Sequence, residues 1–271
     1  MTINPVAADL PDLPDIALSC DGILNRQYHL YQPKKGYRFG TDAIMLAASV
    51  APFYGARIAD FGAGAGAVSI ALSHFLQGAH ITAIEKEPDM AACLDHNIAL
   101  NSMQDRVRVM QDDITNLSPV LQNSFDCVVA NPPFHHATGT RSANHRRALA
   151  HQGDTANLDD WVTSALSVLK PKGRLVMIIR SDRTDEVMRS LHAQGAGGVA
   201  LQPLWPYSSS PAIRVIITAQ KDTKAPFAIL QGLVLHHPDG ALTTRASQIL
   251  SGEGAGFLAM ADTGTDTSTK G

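Results

Sequence analysis

The stretch "DFGAGAG", residues 60–66, carries the strongest indication of the fold. It lies between the short apolar run "RIADFG" (57–62) and the segment "AVSIALSHFL" (67–76), which are typical of a buried strand and of a helix. Glycines allow a tight turn between two such elements and let a ligand approach the backbone without meeting a Cβ atom. The stretch therefore predicts a ligand-binding loop at the junction of a strand and a helix.

An acidic residue ends the next predicted strand, "HITAIEK" (80–86), and is the natural partner of this loop. Glu85 is placed to accept hydrogen bonds from a ribose diol, as the acid of the dinucleotide fingerprint does. A purely structural glycine turn is the less favoured interpretation. Nicotinamide dinucleotides and S-adenosylmethionine both carry an adenosine ribose, so both are candidate ligands. The spacing G-x-G-x-G, in place of G-x-G-x-x-G, favours S-adenosylmethionine.

Strand and helix patterns continue to alternate along the chain. Three later runs are strand-like: "RVRVMQDDI" (106–114), "FDCVVANPP" (125–133) and "GRLVMIIR" (173–180). Helical patterns stand between and beyond them, including "PDMAACLDHNIALN" (88–101) and "LDDWVTSALSVLK" (158–170). This order predicts a doubly wound, mostly parallel α/β sheet of the Rossmann type, in which ligands bind at the carboxyl ends of the strands.

Composition limits the number of domains and the class of protein. A chain of 271 residues with 45% hydrophobic and 17% charged residues fits a single domain with small additions. We predict disordered tails at 1–15 and 259–271 around one domain at 16–258, divided into a hairpin and helix (16–55) and a Rossmann-like core (56–258). No run is long enough to span a membrane and no signal peptide is recognisable, so we expect a cytoplasmic protein.

The stretch "NPPF", residues 131–134, follows the predicted strand "FDCVVA" (125–130) at the same edge of the sheet as the glycine loop. Pro132 and Pro133 lack an N–H and fix φ, so they stiffen the turn and leave carbonyl groups as acceptors. An exocyclic amine conjugated to a ring is a poor nucleophile. If the Asn131 side-chain oxygen and the Pro132 carbonyl accept its two hydrogens, its lone pair is freed for attack. Phe134 would stack on the ring, whereas the plainer interpretation is a turn that closes a strand.

The glycine loop resembles motif I of the class I S-adenosylmethionine-dependent methyltransferases. Together with "NPPF" and "YRFGTDAIMLAA" (37–48), it is similar to the tRNA1(Val) adenine-37 N6-methyltransferase family over about residues 21–249. The resemblance implies a seven-stranded class I methyltransferase fold with an N-terminal hairpin and helix. It also implies a set of cofactor-binding residues: Gly40, Thr41, Asp60, Gly62, Ala63, Gly64, Gly66, Glu85, Lys86, Asp113, Ile114 and Asn131. Asp113 would lie beside the adenine amino group of the cofactor.

Between Cys127 and Gly153 the chain has no acidic residue but several basic ones. Because the net charge is −3, contact with nucleic acid requires a local patch of this kind. The residues that we predict to hold RNA phosphates are Arg141, Arg146, Arg147, Lys34, Lys35 and Arg38. A solvated loop without a partner is the alternative. The histidines of this stretch do not have the spacing of a zinc site, and we predict no metal.

The sequence thus predicts an S-adenosylmethionine-dependent methyltransferase that acts on the N6 atom of an adenine in RNA, with tRNA favoured. Asn131, Pro132, Pro133 and Phe134 are its candidate catalytic residues. Two other enzymes use a similar Asn-Pro-Pro-aromatic motif: guanine-N2 methyltransferases of ribosomal RNA, which lack the "RFGTDA" segment, and glutamine-N5 methyltransferases of proteins. An RNA-binding module without catalysis is a further alternative, disfavoured by the presence of both motifs.

Overall fold

A computed structural model of the chain describes residues 10–36, 38–50, 56–133 and 157–254. Eleven strands lie in these ranges: β1 Leu18–Ile23, β2 Tyr28–Pro33, β3 Arg57–Phe61, β4 His80–Glu85, β5 Val107–Gln111, β6 Phe125–Ala130, β7 Leu169–Arg180, β8 Gly197–Trp205, β9 Arg214–Gln220, β10 Ala228–Ile229 and β11 Leu233–Val234. Six α-helices accompany them: α1 Thr41–Ser49, α2 Ala67–Phe75, α3 Pro88–Leu100, α4 Leu158–Val168, α5 Thr184–Ala193 and α6 Thr244–Ser251. Within these ranges, no helix has the length and apolar character needed to cross a bilayer.

The central sheet has the order β10-β8-β9-β7-β6-β3-β4-β5, and β11 pairs with β8. Its seven long strands confirm the predicted fold: β3, β4, β5, β6 and β7 pair in parallel, whereas β9 is antiparallel to β7 and β8. The two-residue strands β10 and β11 extend one edge beyond the prediction. The chain leaves β3 towards β4 and β5 and returns on the other side to β6. Such a reversal is where ligands bind in doubly wound sheets.

Apolar side chains cover both faces of this sheet. Along β3, Ile58 belongs to the cluster beneath α1, α2 and α3, whereas its neighbours Ala59 and Phe61 belong to the cluster beneath α4. Alternation of this kind follows from the two-residue period of a strand, and both faces of β3 are buried, including the polar Asp60. Both helical layers therefore hold β3 rigidly, and the glycine loop begins at its carboxyl end.

Strand β7 begins earlier than predicted. We expected a strand at 173–180 preceded by a helix that runs to Lys170, but α4 ends at Val168 and β7 begins at Leu169. The pairing with β6 shifts register between Phe125 and Cys127, and Lys172 has a φ of +65°. A β-bulge therefore absorbs the Pro-Lys-Gly stretch that suggests a loop in the sequence.

A hairpin is present in the N-terminal region as β1 and β2, which form a sheet of their own, but the chain turns at 24–27 and not at the Pro-Lys-Lys-Gly stretch (33–36) that the sequence suggested, which begins at the end of β2. The hairpin packs against α3 and is not an extension of the central sheet. Residues 10–15, which we assigned to a tail, are partly in contact with the domain: His96 Nδ1 lies 2.6 Å from the carbonyl oxygen of Pro11. The domain boundaries remain predictions.

Candidate active site

Glycine is required at three positions of the loop after β3, but the structural reason is not the same at all three. Gly62, Gly64 and Gly66 have φ values of +64°, +56° and +100°, a region that favours glycine. A Cβ atom on Gly62 would lie 2.6 Å from the ring of Trp161, and one on Gly66 would lie 2.5 Å from Leu94. In contrast, no atom lies within 4 Å of a Cβ position on Gly64. Close packing therefore requires the outer two glycines, whereas the middle one borders open space that a ligand can enter.

Glu85 ends β4 and is bonded directly to the glycine loop. Its Oε2 accepts a hydrogen bond of 2.7 Å from the Gly64 N–H, and its Oε1 accepts one of 2.9 Å from the Glu87 N–H. The residue is buried, with 8% of its surface exposed. Each carboxylate oxygen can accept a second hydrogen bond. The geometry thus fixes the carboxylate beside the open space at Gly64 and leaves it capacity to bind hydroxyl groups.

Asp60 lies below the loop rather than on its surface. It is 1% exposed, and its Oδ2 accepts a hydrogen bond of 2.6 Å from the Ser69 hydroxyl on α2. Burial raises the pKa of Asp60 to about 7, and the nearby charge of Glu85 adds to this effect. Its observed contact is with α2, and a direct contact with a cofactor remains a prediction.

Lys86 and Asp113 close the other side of this region. Lys86 Nζ lies 2.8 Å from Asp113 Oδ2, which links the residues that follow β4 and β5. Asp113 also caps a short 3₁₀ helix (Ile114–Asn116) by accepting hydrogen bonds from the N–H and hydroxyl of Thr115. Partial burial opposes ionisation, but these bonds and the charge of Lys86 lower the pKa of Asp113. Asp113 is therefore a carboxylate held at the edge of the sheet, with the buried Ile114 beneath it.

The Asn-Pro-Pro turn lies next to the glycine loop. β6 pairs in parallel with β3, and Ala130 at its end is opposite Phe61, so Asn131 and Gly62 leave adjacent strands at the same level. The Oδ1 atom of Asn131 is buried, as is Pro132, whereas Pro133 is exposed. Phe134 lies outside the described residues. The structure thus brings together the two motifs that the sequence singled out.

The start of α1 reaches the same edge of the sheet. Gly40 precedes the helix, and no atom lies within 4 Å of its Cβ position. Thr41 is exposed, while Asp42 forms an ion pair of 2.7 Å with Arg214 at the start of β9. We did not predict the role of Arg214, because 172 residues separate it from Asp42 and no local pattern connects them. This pair fastens the "RFGTDA" segment to the carboxyl edge.

The residues that we predicted to bind RNA are only partly described. Arg38 forms an ion pair of 2.8 Å with Asp21 and donates to Ser19, so part of its charge is neutralised within the hairpin region. Lys34 and Lys35 are exposed after β2. Arg141, Arg146 and Arg147 lie outside the described residues, as do the four histidines of that stretch. Among the residues that are described, no group of three or more His, Cys, Asp or Glu side chains could hold a metal ion.

Comparison with known proteins agrees with this geometry. Residues 37–192, more than half of the chain, match the model of the methyltransferase small domain. The tRNA1(Val) (adenine(37)-N6)-methyltransferase of Mannheimia succiniciproducens is 28% identical over 159 residues, which cover 58% of this chain and 65% of that protein. The enzyme of the same name from Porphyromonas gingivalis is 28% identical over 169 residues, covering 60% and 66%. The matched part thus falls short of two thirds of the length of these relatives.

A solved structure extends the likeness to most of the fold. The crystal structure of a predicted O-methyltransferase from Agrobacterium tumefaciens superposes with a TM-score of 0.67 at 26% identity, covering 79% of this chain and 97% of that one. The chain belongs to the methyltransferase small domain family. It has the class I fold of S-adenosylmethionine-dependent methyltransferases, and the resemblance to the tRNA1(Val) adenine-37 enzymes that we inferred from sequence is confirmed.

Proposed function

We propose that this protein transfers a methyl group from S-adenosylmethionine to the exocyclic N6 atom of an adenine in tRNA. The names of its relatives suggest adenine 37 of tRNA1(Val) as the target. The observation that carries the proposal is the pairing of β3 with β6, which sets the Asn131-Pro132 turn beside the glycine loop. A methyl donor in the loop and an acceptor amine at the turn would then be neighbours.

The described residues fit the chemical groups of S-adenosylmethionine. Glu85 offers a buried carboxylate for the two ribose hydroxyls, and Asp113 offers an ionised one for the adenine amino group. No atom lies within 4 Å of the Cβ positions of Gly64 and Gly40, so a ligand can approach the backbone at both. The bound cofactor would supply a methyl group on a sulfonium ion, an electrophile that needs no metal or acid to activate it.

On the acceptor side, the amine must be made nucleophilic by hydrogen bonding. The Asn131 Oδ1 atom and the Pro132 carbonyl would each accept one of its hydrogens, which favours a tetrahedral nitrogen with a free lone pair. Proline suits this turn because its fixed φ restricts the backbone, so the carbonyl group keeps its direction when the substrate moves. The surplus proton can leave to water after the methyl group is transferred, so a dedicated general base is unnecessary. Phe134 would hold the base by stacking.

RNA would be held by basic residues around this edge. Lys34 and Lys35 present exposed charges after β2. Arg141, Arg146 and Arg147 follow the turn in an acid-free stretch of sequence. Arg38 is the weakest member of the predicted set, since Asp21 neutralises part of its charge.

Nucleoside analysis tests the target. We expect tRNA from a strain that lacks the gene to lose N6-methyladenosine, as measured by mass spectrometry of digested tRNA, and the purified protein to restore it. Loss of a methylguanosine from ribosomal RNA, or of a methylglutamine from a protein, would show that the target is wrong while the cofactor assignment stands.

Replacement of Asn131 tests the chemistry. We expect Asn131→Ala to lower turnover at least about 100-fold, the usual effect of removing one preorganised polar partner of a transition state. Its affinity for S-adenosylhomocysteine should change little. The control is Asn116→Ala, an exposed asparagine in the short helix after β5. Equal turnover in both variants would show that the Asn-Pro-Pro turn is only structural.

A further inference from the structure

Two asparagines hold the hairpin by pairing with the backbone of β2: Asn97 lies in α3, and Asn101 is the residue that caps its carboxyl end. The Oδ1 atom of Asn97 accepts a hydrogen bond of 2.7 Å from the Tyr31 N–H, and its Nδ2 donates one of 2.8 Å to the Tyr31 carbonyl. Asn101, one turn later, pairs with His29 in the same way at 3.0 and 2.7 Å. Residues 29 and 31 are alternate positions of a strand, and residues 97 and 101 are successive positions on one helix face. The two side-chain amides thus make the hydrogen bonds to β2 that the backbone of a neighbouring strand would make.

The second hydrogen of each Nδ2 group has a different acceptor. In Asn101 it goes to the carbonyl of Asn97 at 2.7 Å, at the end of α3. In Asn97 it goes to the carbonyl of Ala65 at 2.8 Å, in the glycine loop. Asn97 is completely buried, so water cannot replace these bonds if the side chain is lost.

The arrangement leaves Asn97 little freedom. All of its donors and its acceptor oxygen are engaged, and the amide can satisfy two carbonyls and one N–H in this orientation only. A hairpin that shifts on α3 must turn this amide and break its bond to Ala65. The glycine loop is therefore tied to the hairpin through one side chain.

We propose that Asn97 is a positioning residue that joins the docked hairpin to the glycine loop, so that affinity for the cofactor depends on the hydrogen bond from this side chain to Ala65. The coupling reaches the substrate side as well, and this part rests on the proposed function. β2 runs antiparallel to α3, since His29 pairs with Asn101 and Tyr31 with Asn97. Lys34 and Lys35 therefore follow β2 towards the start of α3, at the carboxyl edge of the sheet. RNA held by these lysines would bear on the cofactor loop through Asn97.

The matched pair of asparagines provides the test. We expect Asn97→Ala to weaken binding of S-adenosylhomocysteine about tenfold in calorimetry, the size of one lost hydrogen bond to the loop. Asn101→Ala removes the same two bonds to the hairpin but none to the loop, so its affinity should stay within about twofold of wild type. With tRNA present, Asn97→Ala should raise the KM for S-adenosylmethionine and leave kcat within about twofold, because no reacting atom is touched.

The outcomes separate a positioning role from a purely structural one. If Asn97→Ala is only less stable, and the folded protein binds S-adenosylhomocysteine as wild type does, the proposal is wrong. It is also wrong if Asn101→Ala weakens binding equally. Because this assay contains no RNA, a wrong assignment of the methylated base would not affect it.

Hydrogen exchange of the unmodified protein gives a second measurement if Asn97→Ala does not fold. Coupling is reciprocal, so saturating S-adenosylhomocysteine should slow exchange of the Tyr31 and His29 amides by about the same tenfold factor. Unchanged exchange in the hairpin, with slower exchange in the glycine loop, would overturn the proposal.

Discussion

A buried carboxyl group at the start of the glycine loop should make the stability of this protein fall as the pH rises. Asp60 is 1% exposed and receives a hydrogen bond of 2.6 Å from the Ser69 hydroxyl. Burial raises its pKa from 3.8 to about 7, with a smaller contribution from the charge of Glu85. In the unfolded chain the carboxyl group is solvated and titrates near its ordinary value.

The sign and size of the effect follow from linkage. Between pH 4 and 7 the folded protein holds a proton that the unfolded chain has lost, so the free energy of unfolding decreases with pH. A shift of about three pKa units corresponds to about 4 kcal/mol, lost at up to about 1.4 kcal/mol per pH unit and complete above pH 7. A carboxylate whose pKa is lowered by a partner behaves in the opposite way. Asp126 is an example: partial burial opposes ionisation, but the Arg57 N–H and Lys170 lower its pKa.

Urea unfolding of the wild type and of Asp60→Asn at several pH values between 5 and 8 measures this difference. The amide resembles the neutral acid in shape and does not ionise. As the pH rises from 5 to 7.5, the free energy of unfolding of Asp60→Asn should therefore increase by about 2 to 3 kcal/mol relative to that of the wild type. As a control measured over a lower range, from about pH 3 to 5, Asp126→Asn should become less stable relative to wild type as the pH rises, since it cannot form the charged pair. A difference for Asp60→Asn that stays constant from pH 5 to 8 would refute the argument.

Two further predictions concern the cofactor and the RNA. Gly64→Ala should cost about 1 kcal/mol in stability, because the φ of residue 64 is +56° although the new Cβ meets no atom. The methyl group would fill the open space and should weaken cofactor binding at least about tenfold in calorimetry. Gly66→Ala, whose Cβ would lie 2.5 Å from Leu94, should mainly lower the melting temperature. Replacing Arg141, Arg146 and Arg147 together with Gln should weaken RNA binding for all sequences and flatten its dependence on salt by up to about one unit of slope per lost contact, and an unchanged slope in filter binding would place the RNA elsewhere.

The parts of the site that sequence predicted are those fixed by local pattern and strand order. A strand, three alternate glycines and a helix define the loop, and an acid at the end of the next strand lies beside it in a parallel sheet. The position of Asn131 next to the loop required only that β6 return to the other side of β3. Each of these inferences uses neighbours in sequence or the general order of doubly wound sheets.

The parts that sequence did not predict depend on distant partners. Asn97 resembles any polar residue in the middle of a helix, and its pairing with the backbone of Tyr31 has no sequence signature because backbone groups are the same at every residue. The Asp42–Arg214 pair likewise joins remote segments. Arg38 shows the converse limit. Its charge suggests a phosphate contact, but Asp21, 17 residues earlier, is its observed partner.

Selection between adenine and guanine cannot come from the Asn-Pro carbonyl pair alone. The N6 amine of adenine and the N2 amine of guanine each present two hydrogens, so Asn131 and Pro132 would accept from either one. The bases differ at the neighbouring ring atom: N1 of adenine accepts a hydrogen bond, whereas N1 of guanine donates one. A group that donates at this place would bind adenine and repel guanine, and an acceptor would do the reverse, with a buried mismatch disfavoured by about 1 to 3 kcal/mol. The glycine loop is held by bonds such as that from the Gly64 N–H to Glu85, which do not depend on the base. The choice of base must therefore depend on residues that meet the ring edge beyond its amine, and those residues are where enzymes with the same Asn-Pro-Pro turn should differ.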